Sequence, residues 1–355
     1  MITDLRGALQ HGFSFAYDYQ DQQRARKVLT SVERQLGAPA PVAVRREAER
    51  YAARVLGSRR FAPWLVVYAT MAGDFHDGWI PDNFYGRVVS PNINQTVRHI
   101  AEIKSFTRIV FRSNAIPDTG YLINGSYYDL HHRLVGPSAA SASIFAGGDD
   151  VIVKRDRSRQ GKSVSRLSRE QFEPEAFAHS AGNAVFQRPI TQHPFFDQFT
   201  PESSTTLRVT TVRNQRGDYE PRAAYLRFAG QDETFVASAS HVRVAVDLPT
   251  GDIAEVGYLN DWTRVDRHPA ATNRFVRTTL PGFEKALGLC LALHERLPHA
   301  GAVGWDVMVD SAEEVWLLEW NAKHNDVKFS EATAGPCFRG LGWESLRPVK
   351  GTWLV

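Results

Sequence analysis

Two alternating runs of apolar and polar residues, 304–310 and 315–323, lie near the C-terminus with four residues between them. This pattern predicts a β-hairpin whose loop is 311–314. In that register Asp310 pairs with Val315, and Asp306 lies directly opposite Glu319 on the same face. Side chains at such positions have Cβ atoms ~5 Å apart. Two carboxylates at that distance repel each other unless a proton or a cation lies between them.

Asn321 follows Glu319 by two residues and therefore shares its face of the strand. Two carboxylates and an amide oxygen are hard oxygen ligands of the kind that Mg²⁺ prefers, with water and phosphate oxygens completing the octahedron. The pattern is also typical of an ordinary half-buried hairpin whose polar face is balanced by Lys323. The hairpin alone leaves both interpretations open.

The composition indicates an ordinary globular chain. Its 355 residues are 43% hydrophobic and 23% charged, with a formal net charge of +3, which is too small to argue for a nucleic-acid partner by itself. The two cysteines, Cys290 and Cys337, form neither a disulfide framework nor a metal-binding spacing, so a reducing cytoplasmic location is expected. No stretch approaches 18 uninterrupted apolar residues and the first residues do not form an export signal, so no membrane partner is expected.

Basic residues are concentrated in one segment, 154–169, which holds seven lysines and arginines against a single acid, Asp156. A solvated loop, a cover over a polyphosphate and an RNA-binding strip all fit this charge. The segment has no interleaved aromatic residues for base stacking, which disfavours RNA. Its Gly-Lys-Ser run at 161–163 is not a P-loop, because that motif requires a glycine where Asp156 stands.

The spacing of apolar residues predicts an α+β architecture with mostly antiparallel sheets. Two helices are expected within 22–58, one within 94–113 and one at 280–297, and a structured loop at 73–85. Strands are expected at 64–69, 150–154, 183–187, 205–212, 221–228, 236–239 and 242–247, in addition to the hairpin.

Several elements, each weak alone, occur in an order that resembles the ATP-grasp superfamily. Lys104 begins a helix, Lys154 ends a strand before a basic turn, the run 186–190 follows, and the carboxylate hairpin comes last. The runs 187–194 and 206–208 are similar to the sugar-transfer-associated branch, which is related to alpha-L-glutamate ligases. The resemblance covers roughly residues 95–345. It implies two α+β subdomains with antiparallel sheets that grip ATP, plus a helix-rich N-terminal region.

The resemblance also implies roles for individual residues. Phosphate binding is implied for Lys104 and Lys154, and closure over the phosphates for Gln160, Gly161 and Lys162. Contact with the adenine is implied for the hinge residues Gln187, Arg188 and Ile190. Mg²⁺ ligation is implied for Asp306, Glu319 and Asn321.

On the substrate side, Lys323 stands where relatives often carry an arginine that contacts the acyl group. Arg208 and Arg227 lie on strands of the implied catalytic sheet, where they could bind a carboxylate or the γ-phosphate in bidentate fashion. A structural salt bridge is the alternative for both arginines. The N-terminal hundred residues do not read as the βαβ domain that often precedes this fold, so the acceptor side of the site is left undefined.

Three units are therefore predicted: a helix-rich domain at 1–100, a lid subdomain at 101–190 and a catalytic subdomain at 191–355. The expected activity is ATP- and Mg²⁺-dependent coupling of a small-molecule carboxylate to an amine, through an acyl phosphate, with release of ADP and phosphate. A small-molecule kinase using the same nucleotide site is one alternative, and a non-catalytic RNA-binding or scaffold protein is another. No nucleic-acid partner is expected, and the sequence leaves the substrates and the oligomeric state open.

Overall fold

The computed structural model describes residues 2–157, 164–180, 182–200, 203–230 and 241–349, with side chains from residue 19 onward. Twelve α-helical segments lie within these ranges. They are α1 (Ile2–Leu36), α2 (Val42–Arg54), α3 (Ala62–Ala72), α4 (Asp82–Phe84), α5 (Ser90–Ile93), α6 (Val97–Ile100), α7 (Thr107–Phe111), α8 (Pro137–Ile144), α9 (Pro174–Ser180), α10 (Pro194–Asp197), α11 (Phe283–Glu295) and α12 (Val327–Ala334). Short 3₁₀ turns occur at Arg59–Phe61, Lys104–Phe106 and Trp343–Ser345, and a π-helical turn at Tyr85–Val89.

The described strands form two antiparallel sheets. They are β1 (Asp118–Ile123), β2 (Ser126–Tyr128), β3 (Leu134–Val135), β4 (Asp150–Arg155), β5 (Val164–Ser168), β6 (Ala184–Gln187), β7 (Thr205–Arg213), β8 (Tyr219–Phe228), β9 (Val242–Val246), β10 (Ile253–Tyr258), β11 (Arg264–Val265), β12 (Ala302–Val309) and β13 (Val315–Asn321). The first sheet has the order β3-β2-β1-β6-β4-β5, and the second β11-β10-β9-β8-β7-β12-β13.

The second sheet lies between two layers of helix. On one face, Leu226 and Trp305 share a buried apolar cluster with Ala286 and Cys290 of α11. On the other face, Tyr225 of β8 belongs to the cluster formed by α1, α2, α3 and α12. The first sheet has its own smaller core with α8 and α9. The N-terminal helices thus share a core with the second sheet, and the predicted boundaries near 100 and 190 remain predictions.

Most of the predicted elements are present, including both early helices, the strands at 150–154, 183–187, 205–212, 221–228 and 242–247, and the C-terminal helix. The strand predicted at 64–69 is wrong, because this run lies inside α3. Its residues are buried on all sides rather than alternately, with Trp64, Leu65 and Val67 at most 1% exposed. An uninterrupted apolar run of this length cannot be assigned by periodicity alone. The strand predicted at 236–239 lies outside the described residues.

The single helix predicted at 94–113 is also wrong, because the segment is divided among α6, a 3₁₀ turn and α7. Asn94 follows the end of α5 and explains the first break, which precedes α6. Its side chain accepts from the backbone N–H groups of Gly301 and Ala302 and donates to the carbonyls of Ala302 and Ala322. These contacts attach the chain to the ends of β12 and β13. The second break, at the extended residue Ile103, precedes the turn that carries Lys104.

Candidate active site

The hairpin places Asp306 and Glu319 opposite each other, as predicted, although the register of its loop was predicted wrongly. Val309, not Asp310, pairs with Val315. The Asp310 carboxylate closes the loop instead, because its Oδ1 accepts from the N–H groups of Ala312 and Glu314 at 2.9 Å each. A register shift after Asp306 then restores the expected pairing. One extra residue, Leu318, sits in β13 as a bulge.

Asp306 is bound by two arginines, Arg208 on the adjacent strand β7 and Arg227 on β8, one strand further away. Arg208 donates from Nε and Nη2 to the two carboxylate oxygens at 2.6 and 2.8 Å. Arg227 approaches the same oxygens from Nη1 at 3.3 and 3.4 Å. Burial by itself raises the pKa of Asp306, but the two arginines outweigh it and hold the pKa below its ordinary value. Asp306 is therefore a fixed anion in the wall of the site.

Glu319 has a more open environment. Its side chain is 35% exposed, against 9% for Asp306. The Lys104 ammonium lies 3.5 Å from its Oε1. Lys104 itself is buried, on the 3₁₀ turn that packs beside β6. The predicted phosphate lysine and the predicted metal ligand thus meet at the rim of the second sheet.

Lys154 reaches the same place from β4 of the first sheet. Its ammonium donates to the carbonyl of Leu318 at 3.0 Å, which is the carbonyl of the bulge residue. Burial lowers the pKa of Lys154, the neighbouring Glu319 opposes that shift, and Lys104 adds to it. The bulge therefore serves two purposes: it brings Glu319 opposite Asp306 and it turns a carbonyl toward a lysine of the other sheet.

The predicted hinge residues lie at the end of β6, where the chain leaves the first sheet. Gln187 is buried and donates from Nε2 to Oδ1 of Asp118 at 2.9 Å. The Arg188 guanidinium lies over the Trp316 ring, 4.0 Å from its centroid. Ile190 follows in the connection toward the second sheet and is half-buried. The Arg188 contact thus joins the end of β6 to β13 of the second sheet, while an adenine contact of the three residues stays a prediction.

Lys323 does not stand free at the end of β13. Its ammonium binds both carboxylate oxygens of Glu102 at 3.0 and 3.2 Å. The Glu102 carbonyl in turn accepts from the N–H of Arg157 at 2.8 Å. Glu102 thus connects Lys323 to the start of the basic segment. The predicted loop residues Gln160, Gly161 and Lys162 lie outside the described residues.

The family comparison agrees with this arrangement. Residues 145–341, more than half of the chain, match the model of the sugar-transfer associated ATP-grasp family. The chain belongs to this family. Its fold is therefore the ATP-grasp fold, with the two antiparallel sheets on either side of the site. No curated protein matches the chain in sequence.

Solved ATP-grasp structures resemble the chain only distantly. The biotin carboxylase domain of the Hydrogenobacter thermophilus 2-oxoglutarate carboxylase, solved with MgADP, is 12% identical over 69% of this chain and 44% of its own, with a TM-score of 0.42. The ATP-grasp ligase PsnB is 16% identical over 71% and 61%, with a TM-score of 0.38. The N5-carboxyaminoimidazole ribonucleotide synthetase from Thermotoga maritima is 12% identical over 64% and 44%, with a TM-score of 0.36. The chain thus spans about half the length of these structures.

The donor set fits a magnesium ion of an ATP-grasp site. Glu319 is partly exposed beside the buried Asp306, so at least one carboxylate is open to a ligand. The Nδ2 atom of Asn321 is buried and has no hydrogen-bond partner among the described residues. The amide oxygen of this residue, two positions after Glu319 on β13, is a further donor of the kind that Mg²⁺ accepts. Hard oxygen donors of this kind suit Mg²⁺ with phosphate oxygens as further ligands.

Sequence reasoning missed a polar cluster on the segment after β13. Asn325 is fully buried and its carbonyl accepts from Arg208 at 3.3 Å. His324 and Lys328 lie 3.5 and 3.4 Å from Oδ2 of Asp82, which comes from the N-terminal region. The density of polar residues at 321–328 was the available signal. Their partner Asp82 is more than 230 residues away, and no local pattern indicates that contact.

None of the helices in the described ranges is both long enough and apolar enough to cross a bilayer.

Proposed function

We propose that this ATP-grasp protein is an ATP-dependent carboxylate–amine ligase. In the first step a substrate carboxylate oxygen attacks the γ-phosphorus of ATP, the bond from that phosphorus to the bridging oxygen breaks, and ADP leaves. In the second step the nitrogen of an amine attacks the acyl carbon of the acyl phosphate, phosphate leaves, and the nitrogen loses a proton. The products are an amide, ADP and phosphate.

The observation that carries this proposal is the meeting of two lysines with a partly exposed carboxylate. Lys104 and Lys154 reach neighbouring residues of β13, at Glu319 and at the Leu318 carbonyl. Lys104 lowers the pKa of Lys154, and two ammonium groups at neighbouring positions are suited to a polyanion, because its negative charge would stabilise both. The phosphates of ATP supply that charge. We therefore assign phosphate binding to Lys104 and Lys154.

The carboxylates opposite each other on the hairpin would hold the metal, together with Asn321. When bound, Mg²⁺ would neutralise charge on the transferring phosphoryl group. The protein's own contribution is position: Arg208 holds Asp306 in place, and Lys104 holds Glu319. Fixed charges of this kind stabilise a transition state without having to reorganise during the reaction.

The acyl side of the site is assigned to Arg227 and Lys323. Arg227 has a longer contact with Asp306 than Arg208 has, so it can shift toward a substrate carboxylate at smaller cost. Lys323 is bound to Glu102, and a substrate carboxylate would compete with Glu102 for it. Arg208, whose guanidinium is shared between Asp306 and the Asn325 carbonyl, positions Asp306 in this scheme.

Trapping with hydroxylamine tests the proposal and separates a ligase from a small-molecule kinase. The protein is incubated with MgATP, hydroxylamine and a panel of carboxylic acids, and ADP, AMP, phosphate and hydroxamate are measured. A ligase forms ADP and a hydroxamate only with its acid, because hydroxylamine intercepts the acyl phosphate. The true amine should suppress the hydroxamate and give one phosphate per ADP.

Two outcomes would contradict the ligase. A stable phosphorylated product without free phosphate would establish the kinase, and AMP with pyrophosphate would exclude both reactions. Glu319→Gln is the control for contaminating activity, because it removes a proposed metal ligand at a partly exposed position.

A further inference from the structure

The turn that carries Lys104 is fixed by one acidic side chain. Asp156 accepts from the Ser105 backbone N–H at 3.0 Å through Oδ1 and from the Ser105 hydroxyl at 2.7 Å through Oδ2. Hydrogen bonds to an ionised carboxylate are shorter and stronger than those between neutral groups. Ser105 is 3% exposed and directly follows Lys104 in the 3₁₀ turn Lys104–Phe106. The contact therefore holds the backbone that places the Lys104 side chain.

The same strand end carries the other lysine of the proposed phosphate site. Lys154 lies on β4, and Asp156 follows it by two residues, immediately after the strand ends at Arg155. The Asp156 backbone N–H donates to the Asn183 carbonyl at 2.9 Å, next to the start of β6. A short hydrogen-bonded stretch thus joins the strand of Lys154 to the turn of Lys104. Asp156 thereby sets how the two lysines are placed relative to each other.

Neighbouring contacts hold the same two segments together. The Arg157 N–H donates to the Glu102 carbonyl at 2.8 Å, and the Ser105 carbonyl accepts from Nε2 of His132 at 3.4 Å. Arg157 has a φ of 55°, in the left-handed region that residues other than glycine adopt rarely. Such conformations persist where the surrounding structure determines them. The attachment of the strand end to residues 102–105 is therefore built into the backbone as well.

The sign of the charge also argues for a positioning role. Asp156 is the single acid among seven lysines and arginines in the segment 154–169. A negative charge close to two phosphate-binding lysines would repel the phosphates of ATP. Charge alone would therefore favour a neutral residue at this position. The two hydrogen bonds to Ser105 supply the compensating benefit, because they hold the turn of Lys104 in place.

We infer that Asp156 and Ser105 are positioning residues of the nucleotide site and that they act through Lys104. This inference rests on the proposed function, in which Lys104 and Lys154 bind the phosphates of ATP. The two ammonium groups reach neighbouring residues of β13, so one chain of phosphates has to meet both at once. A small displacement of one group is then enough to weaken binding strongly.

Calorimetric titration of the full chain with MgADP tests the inference. Asp156→Ala removes both acceptors and should weaken MgADP binding about tenfold, and Ser105→Ala removes only the hydroxyl contact and should weaken it about threefold. Asp156→Asn keeps an oxygen that can accept from the Ser105 N–H, so it should restore most of the affinity. Loss of the negative charge alone predicts the opposite sign for Asp156→Ala, namely tighter binding.

A double-mutant cycle shows whether the effect passes through Lys104. Lys104→Met removes the ammonium but keeps an unbranched side chain, and we expect Lys154 to keep MgADP binding measurable. In this background Asp156→Ala should change the affinity less than about twofold, because no ammonium is left to place. General damage to the fold would lower the affinity equally in both backgrounds.

Asp150→Ala is the matched control. Asp150 lies at the other end of β4, where its carboxylate pairs with the exposed Arg166 at 2.7 Å. This variant also removes one negative charge from the strand of Lys154, but it leaves the turn of Lys104 untouched. It should therefore keep the affinity for MgADP.

The inference is wrong if Asp156→Ala and Ser105→Ala bind MgADP at least as tightly as wild type, or if their loss is the same in the Lys104→Met background. If Asp156→Ala does not fold, Ser105→Ala carries the same cycle, since it leaves the backbone N–H contact in place. A wild-type protein that does not bind MgADP would contradict the proposed function. Normal MgADP binding by wild type with no loss in the variants would contradict only this inference.

Discussion

Asp306 and Glu319 face each other across two strands, yet the two halves of the site around them differ. The half around Asp306 is buried and contains its own counter-charges, Arg208 and Arg227. The half around Glu319 is partly open and faces two lysines. Because Asp306 is buried, its negative charge must be neutralised by the protein itself. The charge of the partly exposed Glu319 can be neutralised in part by a bound ligand. The comparison teaches that the protein itself fixes the charge and position of Asp306, whereas Glu319 is more accessible to a ligand.

The largest effect expected from this comparison is on turnover. Glu319→Gln keeps the shape of the side chain but removes its charge. The metal proposed to stabilise the transferring phosphate therefore loses a ligand. We expect the rate of ADP release with the acid substrate to fall about a thousandfold or more, with a melting temperature close to that of wild type. Near-normal turnover of this variant at limiting Mg²⁺ would show that Glu319 is not a metal ligand.

The next effect is on stability, and it should fall on the other carboxylate. Asp306→Asn leaves Arg208 and Arg227 buried without their anion, a loss that typically costs about 3–5 kcal/mol. Glu319→Gln is the matched control and should cost less than about 1 kcal/mol, as for a partly exposed pair. Urea titration of the two variants measures the difference. Equal losses at the two positions would remove the distinction between the halves.

The hairpin shows how much of the site could be predicted from the sequence. Alternation along the hairpin is a local pattern, and it was enough to place Asp306 opposite Glu319. The prediction was right although the loop register was wrong by one residue, because the bulge at Leu318 compensated. A bulge depends on what the extra carbonyl contacts, and here that is Lys154, more than 160 residues away. No local pattern encodes that contact.

The partner of Arg227 was out of reach for a similar reason. The sequence singled out Arg208 and Arg227 as strand arginines that could bind a carboxylate or the γ-phosphate, with a structural salt bridge as the alternative, and in the structure both contact Asp306. That contact depends on the order of β8, β7 and β12, which the sequence does not specify by itself. Helix α3 was misassigned because burial on all sides, which removes periodicity, is decided by the N-terminal core as a whole.

A smaller effect is the dependence of nucleotide affinity on pH. The pKa of Lys154 is lowered by burial, so its ammonium deprotonates below the ordinary pKa of 10.5. Its charge is present below the lowered pKa and is lost as pH rises through it, so MgADP should bind more weakly on the alkaline side. Lys154→Arg should bind with less change over the same range, because arginine stays charged. Identical alkaline profiles would show that Lys154 does not contact phosphate.

The most direct test of the central claim, that Lys104 and Lys154 bind MgATP, is the melting temperature with and without nucleotide. Ligand that binds only the folded state raises it by linkage. The account predicts a clear rise with MgATP, and loss of most of that rise in Lys154→Ala but not in Lys285→Ala, an exposed lysine on α11. A wild-type protein whose melting temperature is unchanged by MgATP, MgADP and a non-hydrolysable ATP analogue would contradict it.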